Sequence, residues 1–526
     1  MDTFTIFLLK DNVADPVVAL DRDKRTRAIP LTADIGLPGT LFIGSQHRAT
    51  PPWVGMLNPF LTQEIPIVYT ASISAVLIVQ YQDRFFALTF GYGRMLLAPQ
   101  FWVRDFGLRA TLNKVDPTKL RSVDSKIYDE MVVLTRRQTS QKSKVEAFEL
   151  DVGRALLRGV TGEAEEHDIF SRITGSTSVQ VTTELALGDL GEILSDLLDA
   201  YTDDAYRDHF PWVDNVREVD PAVHAELDQL LIDAIHGGDL AGAYLSAPEI
   251  VDWESIHRFS YTHAGDIVYL ELSLTDYLHV LEEHDIDADI NALKRHRVRV
   301  QYTGDETIHE KWSIYECLVW ETTLGNRRFV LLDGLWFQIA PQYAEAVSDY
   351  VTSITSADIP FEDAPEGQNE GQYNAAVEVQ DPDNFALLDR EPFVPTGAAS
   401  PIEFCDLFST GGHLIHVKKR SSSGTLSHLF SQGSVSSDLF LQDEQLRNNV
   451  RQRLNELGKP ALAALVPIDR PNSPDYEVVY AVIAPPVHGI WPPAWPFFSS
   501  VNLMHHAKRV QNLGFKVSLQ YIRQAN

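Results

Sequence analysis

The chain has 526 residues, a formal net charge of −29, and 44% apolar and 10% aromatic residues. This length predicts about three domains with packed cores, and the negative charge argues against a simple DNA-binding protein, since phosphate contacts dominate nucleic-acid affinity. No run approaches the ~18 apolar residues of a membrane span, and the two cysteines, Cys317 and Cys405, exclude a disulfide framework or a cysteine-based zinc site. We therefore expect a soluble, cytoplasmic protein with two buried free thiols and no membrane partner.

The first region, residues 1–135, is predicted to be an α+β domain. Thr3–Leu9 is apolar and predicts a first strand. Ala75–Tyr81 and Phe85–Phe90 are apolar runs around three polar residues, which predicts a hairpin. The polar, basic segment Arg136–Lys144 follows, and this composition favours a solvated connection over a contact with nucleic acid.

The second region, residues 145–354, is predicted to be mostly helical up to about residue 290 and β-rich after it. Leu185–Tyr201 has apolar residues at helical spacing with acids between them, which favours a solvated helix face over a DNA-mimicking or partner-binding surface. The aromatic-rich runs Trp312–Trp320 and Phe329–Phe337 predict strands. Tyr343–Ile354 predicts a helix that closes this region.

The last part of the chain combines a predicted linker, residues 355–369, with a predicted α/β domain, residues 370–526. The linker is rich in acids, Pro and Gly. Residues 401–526 carry 12 Lys and Arg against 9 Asp and Glu, so the excess of acid lies in the first 400 residues. This local balance favours a polyanionic partner for the last domain. Its predicted elements are a helix over Glu370–Gln380, strands over Asn384–Asp389, Ile402–Phe408 and His413–Lys419, a largely helical stretch over Thr425–Leu454, a strand over Tyr476–Ile483, a helix around Val501–Leu513 and a strand over Phe515–Ile522.

Within this domain, Asp406 lies on one predicted strand and His416-Val417-Lys418 on the next, with a Ser-Thr-Gly-Gly turn between the strands. His416 and Lys418 are two residues apart and share one face of their strand. An acid beside a metal ligand and a lysine is typical of a Mg²⁺-dependent nuclease site, where the metal activates water and stabilises the leaving oxygen. Glu370 on the preceding helix is a candidate second carboxylate, and Asn374 and Glu378 lie on its face of that helix.

Asp406 and His416-Val417-Lys418 resemble the motif of the PD-(D/E)XK nuclease superfamily, in which an Asp precedes a (D/E)-X-K tripeptide. The predicted order of helix, three-strand meander, helix, strand and helix resembles the restriction-endonuclease-like core of that superfamily. The resemblance implies that Asp406, His416 and Glu370 bind Mg²⁺ or Mn²⁺ and that Lys418 orients the attacking water. It also implies contacts with nucleic acid, expected to be DNA. Residues expected to make those contacts are Lys419, Arg420, Ser421, Ser422, His428 and Gln432.

The chain as a whole resembles a sporadically distributed family of bacterial proteins found among mobile and phage-defence genes. This resemblance implies a nuclease, or a nuclease-fold effector, in anti-phage defence. The acidic regions before the linker would then contact a phage or host protein, and oligomer formation stays open. The segments that carry the resemblance are Phe90–Arg94, Phe106–Leu108, Leu156–Gly162, Ile415–Lys418, Leu426–Phe430 and Pro496–Ser499.

The tripeptide departs from the motif, because His416 stands where a carboxylate is expected. Imidazole is a poorer ligand for Mg²⁺ than carboxylate and suits Mn²⁺ better. The site is therefore expected to be altered, to borrow a carboxylate from Glu370 or Glu403, or to be inactive. The alternative functions are a non-catalytic sensor or adaptor that binds nucleic acid or protein through a degenerate nuclease fold, and an acidic protein that binds another protein.

Overall fold

A computed structural model gives the fold of the chain. The ranges it describes are 2–21, 24, 26–44, 47–50, 52–66, 70–128, 132–148, 155–166, 168–219, 221–240, 243–248, 256–302, 308–357, 359–389, 392–393, 402–420, 423–486, 491–492 and 495–525. The chain is α+β with several separate sheets, as the sequence predicts. It divides into two compact units, residues 1–126 with 134–213, and residues 127–133 with 214–526.

The first unit is built on a ten-stranded sheet in the order β2-β3-β6-β7-β1-β12-β11-β10-β8-β9. The hairpin predicted around residues 82–84 is confirmed, since β6 and β7 pair antiparallel from Ser74–Gly91 to Tyr81–Arg84. The elements of this unit are β1 (Asp2–Leu8), β2 (Thr26–Pro30), β3 (Gly39–Gly44), β4 (His47–Ala49), α1 (Pro52–Leu57), β5 (Thr70–Ser72), β6 (Ser74–Tyr81), β7 (Arg84–Gly91), α2 (Phe106–Lys114), β8 (Val115–Tyr128), β9 (Val132–Ser143), β10 (Ala155–Ala164), β11 (Phe170–Gly175), β12 (Val179–Thr183) and α3 (Leu190–Thr202).

The predicted helical character of residues 145–290 is wrong for residues 155–183, which form β10, β11 and β12. The sequence of β12 alternates between apolar and polar residues, as is typical of a strand: Val179 and Val181 are buried, and Gln180 between them is exposed. β12 pairs with β1, so this sheet joins strands from both sides of the predicted boundary at residues 135–145. The predicted helix over 185–201 is confirmed as α3.

The second unit contains a five-stranded sheet, β13-β20-β19-β18-β14, and a three-stranded sheet, β15-β16-β17. The predicted strand Trp312–Trp320 is interrupted by a short helix, α7, because Ser313 and Glu316 form a capping box there. The elements of this part are β13 (Val216–Glu218), α4 (His224–Gly237), β14 (Tyr244–Leu245), β15 (Ile256–Tyr261), α5 (Leu274–Glu283), α6 (Ile290–Arg295), β16 (Arg297–Tyr302), β17 (Ile308–Ser313), α7 (Ile314–Cys317), β18 (Leu318–Leu324), β19 (Arg327–Leu332), β20 (Leu335–Ile339) and α8 (Pro341–Ser353).

The last part of the second unit forms a five-stranded sheet in the order β21-β24-β25-β26-β27. β21, β24 and β25 are antiparallel neighbours, whereas β25, β26 and β27 run parallel. The order of elements agrees with the sequence prediction, except that the predicted strand Ile402–Phe408 is divided into β23 and β24, which belong to different sheets. Asp406 therefore lies just before β24 and not within a strand. The elements are α9 (Glu370–Gln380), β21 (Phe385–Leu387), β22 (Pro392–Phe393), β23 (Ile402–Glu403), β24 (Leu407–Ser409), β25 (His413–Lys419), α10 (Ser423–Gln442), α11 (Glu444–Glu456), α12 (Pro460–Ala464), β26 (Glu477–Ala484), α13 (Phe497–Asn512) and β27 (Lys516–Arg523).

Both faces of this sheet are covered, as the continuous apolar runs of its parallel strands require. One face packs apolar residues such as Leu414, Tyr480 and Leu519 against α10, α11 and α13. The other face packs Ile415 and Val417 against α9 and against Ala357, Ile359 and Ala364. These three residues lie within the predicted linker, yet they are buried on the sheet. The predicted linker is therefore packed against the sheet at these three positions.

Two further expectations can be compared with the structure. Cys317 and Cys405 are both buried thiols outside any disulfide, as predicted. Throughout the described ranges, no helix is both long enough and apolar enough to cross a membrane.

Candidate functional site

The candidate site lies at the carboxyl end of β25, where the strand loses its neighbour β24. β24 pairs with β25 through Leu407–Ile415 and Phe408–Leu414. The backbone N–H of Asp406 then donates to the carbonyl of Ile415, at 2.9 Å. β24 has no residue that pairs with the rest of this edge of β25, so the next two N–H groups that point this way need other acceptors.

Two carboxylates supply those acceptors. The N–H of Val417 donates to Oδ2 of Asp406 at 2.6 Å, and the N–H of Lys419 donates to Oε1 of Glu370 at 2.9 Å. Because these N–H groups are two residues apart on one strand, the two bound oxygens lie about 7 Å apart along the edge. The structure thus brings together Asp406 and Glu370, which are 36 residues apart in sequence, at one edge of the sheet.

Lys418 belongs to the same group of side chains. Its ammonium lies 2.9 Å from Oε2 of Glu370, and both side chains are partly exposed. Glu370 therefore binds one strand through both of its oxygens, one to a backbone N–H and one to an ammonium. A carboxylate held in this way has a fixed orientation at the end of the strand.

Asp406 is the most buried carboxylate of the site, with 9% of its surface exposed. Burial raises the pKa of its carboxyl to about 7; the hydrogen bond from Val417 opposes this rise, while the nearby charges of Asp389 and Glu403 add to it. Lys418 lowers the pKa, but by less. Asp389 was not among the predicted site residues. It is the last residue of the predicted strand Asn384–Asp389, and its charge acts on Asp406.

His416 does not lie with these groups. It is buried on the strand face that packs against α10, and its Nε2 lies 3.1 Å from the hydroxyl of Ser436. Burial lowers the pKa of its imidazole to about 3, so the ring is neutral at physiological pH. Its role as a metal ligand stays a prediction, and the contacts it makes are those of a core histidine. Ser436, its partner, gave no signal in the sequence.

The predicted nucleic-acid contacts have different surroundings. The side chain of Arg420 is half-buried, which lowers its pKa, and no carboxylate of the described residues pairs with it. Gln432 donates to Oε2 of Glu403 at 3.1 Å, and His428 is exposed on α10. Ser421 and Ser422 lie outside the described residues. Lys419 contributes its backbone N–H to Glu370, and its side chain is partly exposed.

Two other residues on the face of α9 that carries Glu370 have different surroundings. Glu378 forms an ion pair with Lys459 at 2.7 Å. Asn374 is 1% exposed, and neither its amide nitrogen nor its amide oxygen has a hydrogen-bond partner among the residues that the structure describes.

A metal ion at the carboxyl end of β25 would have to use few protein ligands. Within the described ranges, no group of three or more His, Cys, Asp and Glu side chains is arranged to hold a metal ion. Such a group is what zinc and other transition ions need. Mg²⁺, in contrast, is usually held by one or two carboxylates together with waters and substrate phosphates. The oxygens of Asp406 and Glu370 that do not accept the N–H groups of β25, Oδ1 and Oε2, are hard donors of the kind that Mg²⁺ binds.

Comparison with known proteins identifies the family of the chain. No curated protein and no solved structure matches the chain. The model of one family, described as a family of unknown function and designated DUF6119, matches residues 4–523. This match spans nearly all of the 526 residues, so the chain belongs to the DUF6119 family.

Proposed function

We propose that residues 370–526 form a Mg²⁺-dependent phosphodiesterase that acts on nucleic acid, with Asp406, Glu370 and Lys418 as its active residues. One observation carries the proposal. Asp406 and Glu370 accept hydrogen bonds from two backbone N–H groups of β25 that have no partner on β24. Lys418 of the same strand is paired with Glu370. Two fixed carboxylates and a lysine at one strand end are the groups that metal-assisted phosphodiester hydrolysis needs.

The order of elements supports this proposal. A helix, α9, precedes the antiparallel strands β21, β24 and β25, and helices α10 to α12 then lead to the parallel strand β26. This order agrees with the restriction-endonuclease-like core that the sequence resembles. In that resemblance the helix before the meander, the second strand and the third strand supply the site residues. Here Glu370 lies on α9, Asp406 lies directly before β24, and Lys418 lies on β25.

Each residue has a distinct task in the proposed reaction. A bound Mg²⁺ would activate water and stabilise charge on the leaving oxygen. Asp406 and Glu370 would hold the ion, since both present hard oxygen donors at the strand edge. Lys418 would leave Glu370 to neutralise the phosphate and orient the attacking water. His416 has no part in this scheme because its ring is bound to Ser436, and this removes the reason to prefer Mn²⁺.

Arg420 is the best candidate among the predicted nucleic-acid contacts for binding a phosphate. Half-buried charges in proteins are normally paired. Arg420 has no acidic partner among the described residues, and it follows directly after β25. A phosphate of the substrate would supply the missing partner and lie next to Lys418.

A second candidate function has its own observation. The carboxylate expected at position 416 is replaced by a buried histidine, and Lys418 and Glu370 already bind each other. A domain of this kind would bind nucleic acid or protein without cleaving it, as a sensor or adaptor. In either case we propose a role in anti-phage defence, in which the acidic regions before residue 355 contact a phage or host protein.

Incubation of the full-length protein with plasmid, linear and single-stranded DNA and with RNA, in Mg²⁺ and in Mn²⁺, tests the proposal. Asp406→Asn keeps an acceptor for the N–H of Val417, and Lys418→Met keeps the length of the side chain. We expect cleavage by the wild type and a loss of about 100-fold or more in each variant. Lys516→Ala is the matched control because Lys516 begins β27 at the opposite edge of the sheet.

Two outcomes would reject the assignment. Cleavage that is unchanged in both Asp406→Asn and Lys418→Met would place the active residues elsewhere. Binding of nucleic acid by the wild type without cleavage of any substrate would favour the sensor or adaptor.

A further inference from the structure

Asn374 is a buried side chain whose polar atoms have no partner among the described residues. It is 1% exposed, and neither its Nδ2 nor its Oδ1 forms a hydrogen bond within the part of the chain that the structure describes. A buried amide in this state is unfavourable unless water or a ligand satisfies it. Asn374 lies one helical turn after Glu370, so both side chains lie on the same face of α9.

The topology indicates that Asn374 lies near Asp406. β21 is antiparallel to β24, and β24 is antiparallel to β25, so β21 and β25 run in the same direction. α9 is joined to β21 by four residues and packs against both strands, so it runs antiparallel to β25. Residues of α9 that follow Glu370 therefore lie beside residues of β25 that precede Lys419.

The distances along the two elements agree. Four residues of α-helix advance about 6 Å, and two residues of strand advance about 7 Å. Since Glu370 is bound at the N–H of Lys419, Asn374 lies level with the N–H of Val417, which is the group that Asp406 binds. The neighbours of Asn374 on this helix face agree with the placement, because Tyr373 and Val377 pack in one apolar cluster with Val417.

We propose that the amide oxygen of Asn374 is a third oxygen ligand of a divalent cation, shared with Asp406 and Glu370. This inference rests on the proposed function and adds a residue to its metal site. Amide oxygens are hard donors like carboxylates and are suitable ligands for Mg²⁺ and Ca²⁺. The amide nitrogen of Asn374 donates to a water in the shell of the ion. A bound ion with its waters thus satisfies the polar atoms that are otherwise left unpaired.

Ser518 provides a matched control. Its hydroxyl is also buried and has no hydrogen-bond partner within the described ranges. It lies on β27, two strands away from β25 and from the carboxylates of the candidate site. Loss of the Ser518 hydroxyl should therefore leave cation binding unchanged.

The experiment measures binding of MgCl₂ alone to the full-length protein by isothermal titration calorimetry, with no nucleic acid present. Tm in EDTA is recorded for every variant. Asn374→Leu replaces the amide by an apolar group of similar size, and we expect about 10- to 100-fold weaker Mg²⁺ binding with a Tm in EDTA no lower than that of the wild type. Asn374→Asp keeps an oxygen donor and should bind Mg²⁺ at least as tightly as the wild type. Ser518→Ala should bind it equally well.

Wild-type Mg²⁺ affinity in Asn374→Leu would overturn the inference, as would an equal loss of affinity in Asn374→Asp and Asn374→Leu. Absence of Mg²⁺ binding by the wild type would overturn it too. Failure of the proposed function is a different result. In that case Mg²⁺ binds and depends on Asn374, but no nucleic acid is cleaved.

Discussion

The imidazole Nε2 of His416 lies 3.1 Å from the hydroxyl of Ser436, inside the core between β25 and α10. The side chain next along the same strand face, Lys418, reaches Glu370 at the strand end. Two residues of one tripeptide thus have opposite roles. His416 belongs to the packing of the sheet, and Lys418 belongs to the candidate site.

The first prediction concerns pH. Burial lowers the pKa of His416 to about 3, whereas an unfolded histidine titrates near 6.5. Between these values the unfolded chain binds a proton that the folded chain does not, so stability falls as the pH falls through this window, by up to about 1.4 kcal/mol per pH unit. His416→Gln removes this titration and keeps a partner for Ser436.

Urea denaturation between about pH 6 and pH 4 measures the effect. We expect the free energy of unfolding of His416→Gln to depend less steeply on pH than that of the wild type. His428→Gln, which changes an exposed histidine on α10, should retain the wild-type slope. Identical slopes for wild type and His416→Gln would contradict the prediction.

The second prediction concerns Arg420 and phosphate. If Arg420 binds a phosphate, Arg420→Gln should weaken binding of DNA and reduce the slope of log K against log salt by about one. Fluorescence anisotropy with a labelled oligonucleotide at several salt concentrations measures both quantities. Arg523→Gln is the control, because Arg523 also ends a strand of this sheet but donates to Asp363 at 2.7 Å. Equal slopes for Arg420→Gln and the wild type would remove Arg420 from the interface.

The third prediction concerns a buried carboxylate outside the candidate site. Asp228 on α4 accepts hydrogen bonds from the Tyr315 hydroxyl at 2.6 Å and the Trp336 indole at 2.9 Å, and it pairs with Lys294 at 2.7 Å. Asp228→Ala leaves a buried hydroxyl and a buried indole N–H without their acceptor, which should lower the free energy of unfolding by about 3 kcal/mol. Chemical denaturation followed by tryptophan fluorescence measures the loss.

Asp233→Ala is the control for this variant, since Asp233 is exposed on the same helix and accepts a hydrogen bond from Gln229. It should change the free energy of unfolding by less than about 0.5 kcal/mol. Comparable losses in the two variants would mean that the network around Asp228 adds nothing specific.

The fourth prediction concerns the start of α13. Glu321 of β18 accepts hydrogen bonds from the N–H groups of Phe497 and Phe498, the first two residues of α13, and so caps this helix. Burial raises the pKa of this carboxyl, and the two N–H groups oppose that rise. Glu321→Gln removes a charge from the helix N-terminus and one of the two acceptors, so we expect a loss of about 1–2 kcal/mol.

Thermal denaturation of the full-length protein measures this loss as a lower Tm. Glu345→Gln on α8 is the control, because Glu345 is exposed on the surface of its helix. A Tm for Glu321→Gln as high as that of Glu345→Gln would show that the cap does not stabilise α13.

Local patterns made much of the last domain predictable. Residues 370–380 and 413–419 were predicted as helix and strand with the bounds that the structure gives them. Strong periodicity and clear caps are the reason, as at Asn369, whose side chain accepts from the N–H of Gln372. The strands over residues 155–183 were missed because the stronger helical pattern of α3 follows them, and pairing with β1 decides their conformation.

The sequence by itself determined the chemistry that is present: Asp406, Lys418 and Glu370, and a histidine where a carboxylate is expected. Side chains two apart on a strand share a face, and this rule placed His416 with Lys418. Tertiary structure decided which of them meet. Because β24 begins only at Leu407, opposite Ile415, two N–H groups of β25 beyond that point can bind Asp406 and Glu370. Because α10 covers the middle of β25, His416 is enclosed in the core, whereas Lys418 reaches the edge of the sheet.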